Sequence, residues 1–143
     1  MNHLNISLSV FILNLLLLIS CGDSQTTAEV NQGIDPEQAY EMIQTDSSVL
    51  VIDVRTPQEY TGELGHIPDA VLEPLQEIEK WSENYQPRKD QKIILVCRSG
   101  NRSNVAADYL ARKGFKRLYN IEGGMKEWNR LDLPVDKPDG KQQ

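Results

Sequence analysis

Cys97 is the residue of this sequence whose surroundings most clearly favour chemistry. The residues that follow it are Arg98, Ser99, Gly100, Asn101, Arg102 and Ser103. The thiolate is the reactive form of cysteine, and neighbouring cations and helix N-termini lower a thiol pKa from about 8.5 to about 3.5–7.5. A free cysteine can also simply fill a hydrophobic core, but two arginines so close behind it do not suit a core position. We therefore predict that Cys97 is a nucleophile.

A strand and a helix are expected to hold this cysteine between them. Residues 93–97 (IILVC) are a short apolar run that predicts a buried strand, and Ser103 is the expected N-cap of a helix that continues to Lys113. Ligands of α/β proteins bind at the carboxyl ends of the strands, where loop amides and a helix N-terminus attract anions. Gly100 supplies the backbone freedom that a tight loop needs. Residues 98–103 are thus the predicted substrate-binding loop.

The rest of the chain alternates between strand and helix patterns. Residues 49–54 and 118–121 are expected strands, and residues 70–72 are an expected short strand. Asp35 is followed by proline and is the expected N-cap of a helix, and Thr56 is the candidate cap of a second, short helix. This alternation predicts an α/β fold with a mainly parallel central sheet and helices on both faces.

Five segments stand out by residue type and spacing: 53–60 (DVRTPQEY), 65–70 (GHIPDA), 97–102 (CRSGNR), 114–115 (GF) and 123–128 (GGMKEW). They resemble motifs of the rhodanese-like family. The first resembles its D-x-R-x-x-x-E-[FY] signature, the second its G-H-I-x-G-A segment and the third its C-x-x-G-x-R active-site loop. Asp69 stands where the family commonly has glycine. The motifs occur in order and cover nearly all of residues 34–135, so the resemblance implies the family's fold throughout the body of the chain.

The resemblance implies sulfur transfer, which needs no cofactor. The Cys97 thiolate would take the outer sulfur of thiosulfate or a similar small anionic donor, and a thiol or cyanide acceptor would remove it from the resulting persulfide. Loop amides would stabilise the persulfide anion. Arg98 would attract the donor, and Arg102 would share this role while bracing the loop. Sequence reasoning assigns Asp53, Arg55 and Glu59 to an ion-pair network that supports the loop.

Two other functions remain open at this point. Cysteine-dependent phosphatases and arsenate reductases use a related C-x5-R loop, which is one residue longer than the segment from Cys97 to Arg102. The shorter loop encloses a smaller volume, which suits a sulfur atom better than a tetrahedral oxyanion. The other alternative is a non-catalytic or persulfide-carrier module that serves a protein partner. Non-catalytic modules of this type typically lack the cysteine that this chain keeps.

The N-terminus has the pattern of an export signal. Residues 6–19 are mostly apolar, too short a run to span a membrane comfortably. The segment Leu18-Ile19-Ser20-Cys21 resembles the bacterial lipobox, which implies cleavage before Cys21 and lipid attachment to its sulfur. We therefore expect an exported lipoprotein, anchored in a membrane and facing the periplasm or the cell exterior. An ordinary secretory signal or a short uncleaved anchor is the alternative.

Composition and length set the remaining expectations. The 143 residues are divided into a signal peptide (1–20), a polar tether (21–33), one domain (34–135) and a disordered tail (136–143). The formal net charge of −6, without a long basic run, argues against nucleic-acid binding. The two cysteines and two histidines form no cluster of the kind that a structural zinc site needs. No metal site is predicted.

Overall fold

A five-stranded parallel sheet forms the centre of the molecule in the computed structural model, which describes residues 29–137. The strands are β1 (Glu29–Ile34), β2 (Leu50–Asp53), β3 (Val71–Leu72), β4 (Lys92–Val96) and β5 (Arg117–Ile121). Their order across the sheet is β1-β5-β4-β2-β3, and every neighbouring pair is parallel. The carboxyl ends of the strands therefore meet at one edge, where Cys97 follows β4 directly.

Helices cover both faces of this sheet, which confirms the predicted fold class. They are α1 (Pro36–Thr45), α2 (Pro57–Tyr60), α3 (Ile78–Asn84), α4 (Asn101–Arg112) and α5 (Gly124–Arg130), with short 3-10 turns at Leu75–Glu77 and Gln86–Arg88. One core lies under α1 and α5 and the other under α3 and α4. Successive residues of β4 serve the two cores alternately, because neighbouring side chains of a strand point to opposite faces.

Two of the predicted helix starts, at Asp35 and Thr56, are confirmed in detail. The side chain of Asp35 accepts a hydrogen bond from the Gln38 N–H at the start of α1, with Pro36 at the first helical position. Thr56 and Glu59 form a reciprocal capping box at the start of α2. These signals are readable from sequence because each cap is made by residues only three positions apart.

The predicted tether was wrong for residues 29–33, which belong to β1. This segment pairs with β5 over Glu29–Ile34, with an irregular register between Glu29 and Gln32. Its polar composition concealed a strand because β1 lies at the edge of the sheet and its stability comes from backbone pairing. Asn31, at φ 53°, also donates through Nδ2 to side chains of α4, Asn104 Oδ1 at 3.0 Å and Asp108 Oδ1 at 2.6 Å.

The predicted tail was wrong at its first residue. Asp136 forms an antiparallel bridge with His66, with N···O distances of 2.8 and 3.0 Å in the two directions. His66 also stacks on Tyr60 at a ring-centroid distance of 3.7 Å, and its Nδ1 lies 3.1 Å from the Tyr60 carbonyl oxygen. His66 is thus a hydrogen-bonded residue that joins the end of the domain to the loop before β3.

The predictions for the N-terminal signal, for Cys21, for residues 21–28 of the tether and for residues 138–143 of the tail lie outside the described residues. Within residues 29–137, no helix is long and apolar enough to cross a membrane.

Candidate active site

The loop after β4 places Cys97 at the carboxyl edge of the sheet. Gly100, at φ 95°, reverses the chain so that α4 begins at Asn101. The expectation that Ser103 caps this helix was wrong, because Gly100 occupies the N-cap position and Ser103 lies in the first turn. The early start of α4 turns the Ser103 hydroxyl back toward the cysteine.

The sulfur of Cys97 is buried and surrounded by hydrogen-bond donors. Only 1% of the residue is exposed. The Gly100 N–H donates to Sγ at 3.1 Å, and the Ser103 hydroxyl lies 3.3 Å from it. Burial by itself raises the pKa of the Cys97 thiol, but the Ser103 hydroxyl and the backbone N–H groups of Ser103, Ser99 and Gly100 outweigh burial. The net effect is a pKa below the ordinary value for cysteine, which favours the nucleophilic thiolate.

Three donors fix the Gly100 carbonyl and with it the shape of the loop. Its oxygen lies 3.0 Å from the Asn104 N–H, 3.1 Å from the Ser103 hydroxyl and 3.3 Å from Asn120 Nδ2. Ser103 carries one hydroxyl proton, so at any moment it donates a hydrogen bond either to this carbonyl or to the Cys97 sulfur. Asn120, 8% exposed on β5, was missed by sequence reasoning. Its position just before a predicted strand end was the only available signal.

The start of α5 forms the floor under the loop. The N–H of Met125 donates to the Cys97 carbonyl at 2.8 Å, and that of Lys126 donates to the Arg98 carbonyl at 3.1 Å. A side chain at Gly124 would overlap the backbone of residues 97–99. Gly124 therefore permits close contact between two backbones, a role that sequence reasoning did not assign although a Gly-Gly pair after a strand hints at it.

Arg102 and Glu59 form a bidentate ion pair at the side of the loop. Arg102 Nη1 and Nη2 donate to the two Glu59 carboxylate oxygens at 2.7 and 2.6 Å. The Arg102 guanidinium, together with hydrogen bonds from Thr56, outweighs burial and lowers the pKa of Glu59 to about 2. Both side chains are roughly 30% exposed. The pair holds α2 against the first turn of α4.

Asp53 and Arg55 form a second, separate ion pair that is almost completely buried. Arg55 donates to both carboxylate oxygens of Asp53 at 2.6–3.0 Å and to the Gly65 carbonyl at 2.7 Å. Neither residue makes a hydrogen bond to the loop at 98–103 within the described part of the chain. The predicted single network is thus two ion pairs, of which only the one with Glu59 reaches the loop.

Three of the predicted loop residues form its outer surface. Arg98, Ser99 and Asn101 are exposed. Arg98 forms no ion pair with any residue in 29–137, so its guanidinium is free to meet an anion. No group of three His, Cys, Asp or Glu residues within this range could hold a metal ion.

The structure is a parallel α/β domain in which a cysteine loop lined with hydrogen-bond donors follows the central strand. Comparison of the chain with known protein families identifies the class of protein that has this arrangement. The model of the rhodanese-like domain family matches residues 35–131. The chain belongs to the rhodanese-like domain family.

Relatives and solved structures agree with this assignment. The chain is 38% identical over 108 residues to a sulfurtransferase of Allochromatium vinosum, covering 75% of this chain and 96% of that protein. It is 33% identical over 103 residues to the thiosulfate sulfurtransferase GlpE of Vibrio cholerae, covering 72% and 92% of the two chains. The solution structure of a polysulfide-sulfur transferase homodimer from Wolinella succinogenes superposes with a TM-score of 0.66 at 25% identity, covering 78% of this chain and 82% of that one.

Proposed function

We propose that the protein is a sulfurtransferase that carries sulfane sulfur as a persulfide on Cys97. The observation that supports this most directly is the buried Cys97 sulfur with the Gly100 N–H at 3.1 Å and the Ser103 hydroxyl at 3.3 Å. The same donors that stabilise a thiolate stabilise the terminal sulfur of a persulfide, which is also an anion. The family membership supports the same class of reaction.

In the first half-reaction the Cys97 thiolate attacks the outer sulfur of a donor such as thiosulfate. A sulfur–sulfur bond forms to Cys97 as the sulfur–sulfur bond of the donor breaks, and sulfite leaves with that bond's electron pair. The exposed Arg98 attracts the dianionic donor to the loop. In the second half-reaction cyanide or a thiolate attacks the outer sulfur of the persulfide and restores the Cys97 thiolate. The scheme predicts ping-pong kinetics.

The ion pair of Arg102 argues against the phosphatase alternative. A phosphatase loop needs its arginine to bind the tetrahedral oxyanion, whereas Nη1 and Nη2 of Arg102 both donate to Glu59. We therefore assign Arg102 to positioning the loop. The short loop from Cys97 to Arg102 surrounds a single sulfur atom, and this small space favours a sulfur group as its ligand.

Mass spectrometry of the intact protein after incubation with thiosulfate tests the proposal. We expect the mass to increase by one sulfur atom in the wild type and to remain unchanged in Cys97→Ala, together with loss of thiocyanate formation. Wild-type turnover in Cys97→Ala would overturn the assignment. A persulfide that forms but is not passed to cyanide or small thiols would identify the carrier alternative.

We further propose that the protein is an exported lipoprotein with lipid on Cys21, from the lipobox-like sequence that ends there. Metabolic labelling with a fatty acid tests this, with Cys21→Ala as the control. If the wild type takes up no label, or Cys21→Ala takes up as much, the lipoprotein assignment fails. The sulfur-transfer assignment stands independently of that result.

A further inference from the structure

Two basic segments that are far apart in the sequence meet at the amino ends of the strands. The N–H of Lys116 donates to the Lys89 carbonyl at 3.0 Å. Lys92 and Arg117 are register partners in adjacent strands. A Cβ added at Gly114 would lie 3.5 Å from Lys89 Nζ. The folded chain thus assembles a basic surface from segments that contain no long basic run.

We call this surface the basic end. Its cationic residues are Arg88, Lys89, Lys92, Arg112, Lys113, Lys116 and Arg117, which are seven of the fifteen lysines and arginines in the chain. The acidic residues beside them are Glu29, by its register with Arg117, and the ion-pair partners Asp46, Glu83 and Asp90. The basic end therefore has an excess of three positive charges in a chain whose net charge is −6.

Several of these cations lack an intramolecular partner. Arg88, Lys89, Arg112 and Arg117 form no ion pair with any residue in the described range 29–137. The ion pairs of Lys113 and Lys116 are exposed, so water and salt screen them. Position at the end of α4 accounts for Arg112 and Lys113, which oppose the negative end of the helix dipole. It does not account for the other five cations.

The direction of β1 shows what this surface can face. Glu29, the first residue of β1, is the register partner of Arg117, so the chain enters the sheet at the basic end. Cys21 and the apolar residues 6–19 precede β1 in the sequence. A chain attached to a membrane through this segment is joined to its anchor at the basic end of the domain.

We infer that the basic end is a docking surface for anionic phospholipid headgroups, which orients the domain on the membrane. The inference rests on the membrane attachment proposed above. Clusters of lysine and arginine next to a membrane anchor are attracted to anionic lipids over about one Debye length, roughly 10 Å. β4 spans about 16 Å at about 3.3 Å per residue, and Cys97 lies beyond its far end. Cys97 therefore faces away from the lipid surface and remains open to soluble donors.

Lysine acetylation of the full-length protein tests this orientation. The protein is incorporated into vesicles of phosphatidylcholine alone or of phosphatidylcholine with phosphatidylglycerol, floated, and treated with a membrane-impermeant acetylating reagent. Peptide mass spectrometry then compares Lys89, Lys113 and Lys116 at the basic end with Lys126 beside the active-site loop. We expect severalfold slower acetylation at the basic end in anionic vesicles, and equal rates at Lys126 in both.

Matched variants separate charge from general membrane contact. Arg88→Gln with Arg112→Gln removes two exposed, unpaired cations of the basic end and should reduce the protection. Lys80→Gln, which removes a cation that is 84% exposed on α3, should leave the protection unchanged. An equal loss of protection from acetylation in the double variant and in Lys80→Gln would overturn the assignment of the basic end as the docking surface.

The possible outcomes distinguish this inference from the lipid attachment. Flotation with both vesicle types but equal acetylation in both would overturn the orientation and leave the anchor intact. Flotation only with anionic vesicles, with protection, would support the basic end and overturn lipid on Cys21. Flotation with neither would overturn both. The same protection by short duplex DNA in place of vesicles would show a general polyanion surface and overturn the assignment to lipid.

Discussion

The hydroxyl of Ser103 lies 3.3 Å from the sulfur of Cys97, and it is the one side-chain donor to that sulfur among the described residues. The other donors are backbone N–H groups, which substitution leaves in place. Ser103 is therefore the position at which the environment of the thiolate can be changed by replacing one atom.

Ser103→Ala should raise the pKa of Cys97, because it removes a hydrogen bond that stabilises the thiolate while burial of the sulfur remains. A hydrogen bond to a charged group contributes about 1.5–3 kcal/mol. Alkylation of Cys97 by iodoacetamide below the thiol pKa should therefore slow by about 10- to 100-fold, and its pH profile should move to higher pH. Ser99→Ala is the matched control, since the exposed Ser99 contributes only its N–H. An unchanged profile in Ser103→Ala would exclude the hydroxyl from thiolate stabilisation.

Glu59→Gln should destabilise the protein at neutral pH, because it leaves the Arg102 guanidinium without its carboxylate partner. The pair is partly exposed, so we expect a loss of about 1 kcal/mol. The pKa of Glu59 is about 2 in the folded protein, below its ordinary value of 4.5. Its contribution is thus fully present above pH 4.5 and is lost as pH falls toward 2.

Chemical denaturation across pH measures this effect. The difference in unfolding free energy between wild type and Glu59→Gln should shrink as pH falls through that window. Glu127→Gln is the control, because the Glu127–Arg130 pair lies on the surface of α5 and should add little at any pH. A constant difference between wild type and Glu59→Gln would contradict the ion-pair explanation.

Gly124→Ala should displace the loop that carries Cys97, because the added methyl group overlaps the backbone of residues 97–99. We expect a loss of more than about 2 kcal/mol of stability and, in the protein that still folds, a large fall in sulfur transfer. Thermal melts and the thiocyanate assay measure the two effects.

Gly114→Ala separates this overlap from backbone strain. Gly114 also has a positive φ, of 89°, but a Cβ there would contact only the flexible side chain of Lys89. It should cost about 1–2 kcal/mol and leave transfer per folded molecule unchanged. Equal loss of transfer in both variants would show that strain alone, and not contact with the loop, explains Gly124.

Asp69→Gly should stabilise the protein. Asp69 is exposed and has φ 61°, a left-handed conformation that costs most residues about 1–2 kcal/mol, partly offset by the greater freedom of glycine in the unfolded chain. We expect a net gain of about 0.5 kcal/mol, measured by denaturation. Asp69→Ala should have the opposite sign. Destabilisation in both variants would show that the Asp69 side chain itself stabilises the turn.

Local signals explain why so much of the fold was predictable. The β4 strand is an uninterrupted apolar run, and the caps at Asp35 and Thr56 are made by residues a few positions away. The cysteine loop was equally visible, because Cys97 and its donors lie within seven consecutive residues. Asp69 also shows why glycine is common at its position, since the backbone there has a positive φ.

The features that were missed depend on contacts between distant parts of the chain. Asn120 reaches Gly100 from another strand, and Gly124 is required by a backbone that lies more than twenty residues earlier. The Arg102–Glu59 pair joins residues 43 positions apart, so no local pattern separates Glu59 from Asp53 and Arg55. β1 was missed for the same reason, since its partner is the last strand.

The edge position of β1 also determines how the domain can be shortened. A chain that begins at residue 35, where the family match starts, would lack the strand that pairs with Arg117–Ile121. β5 would then present a row of unpaired N–H and C=O groups beside buried apolar side chains such as Leu118 and Ile121. Such an open edge is a template for strand addition by a second copy. The segment Glu29–Ile34 thus covers an edge of β5 that would otherwise favour aggregation.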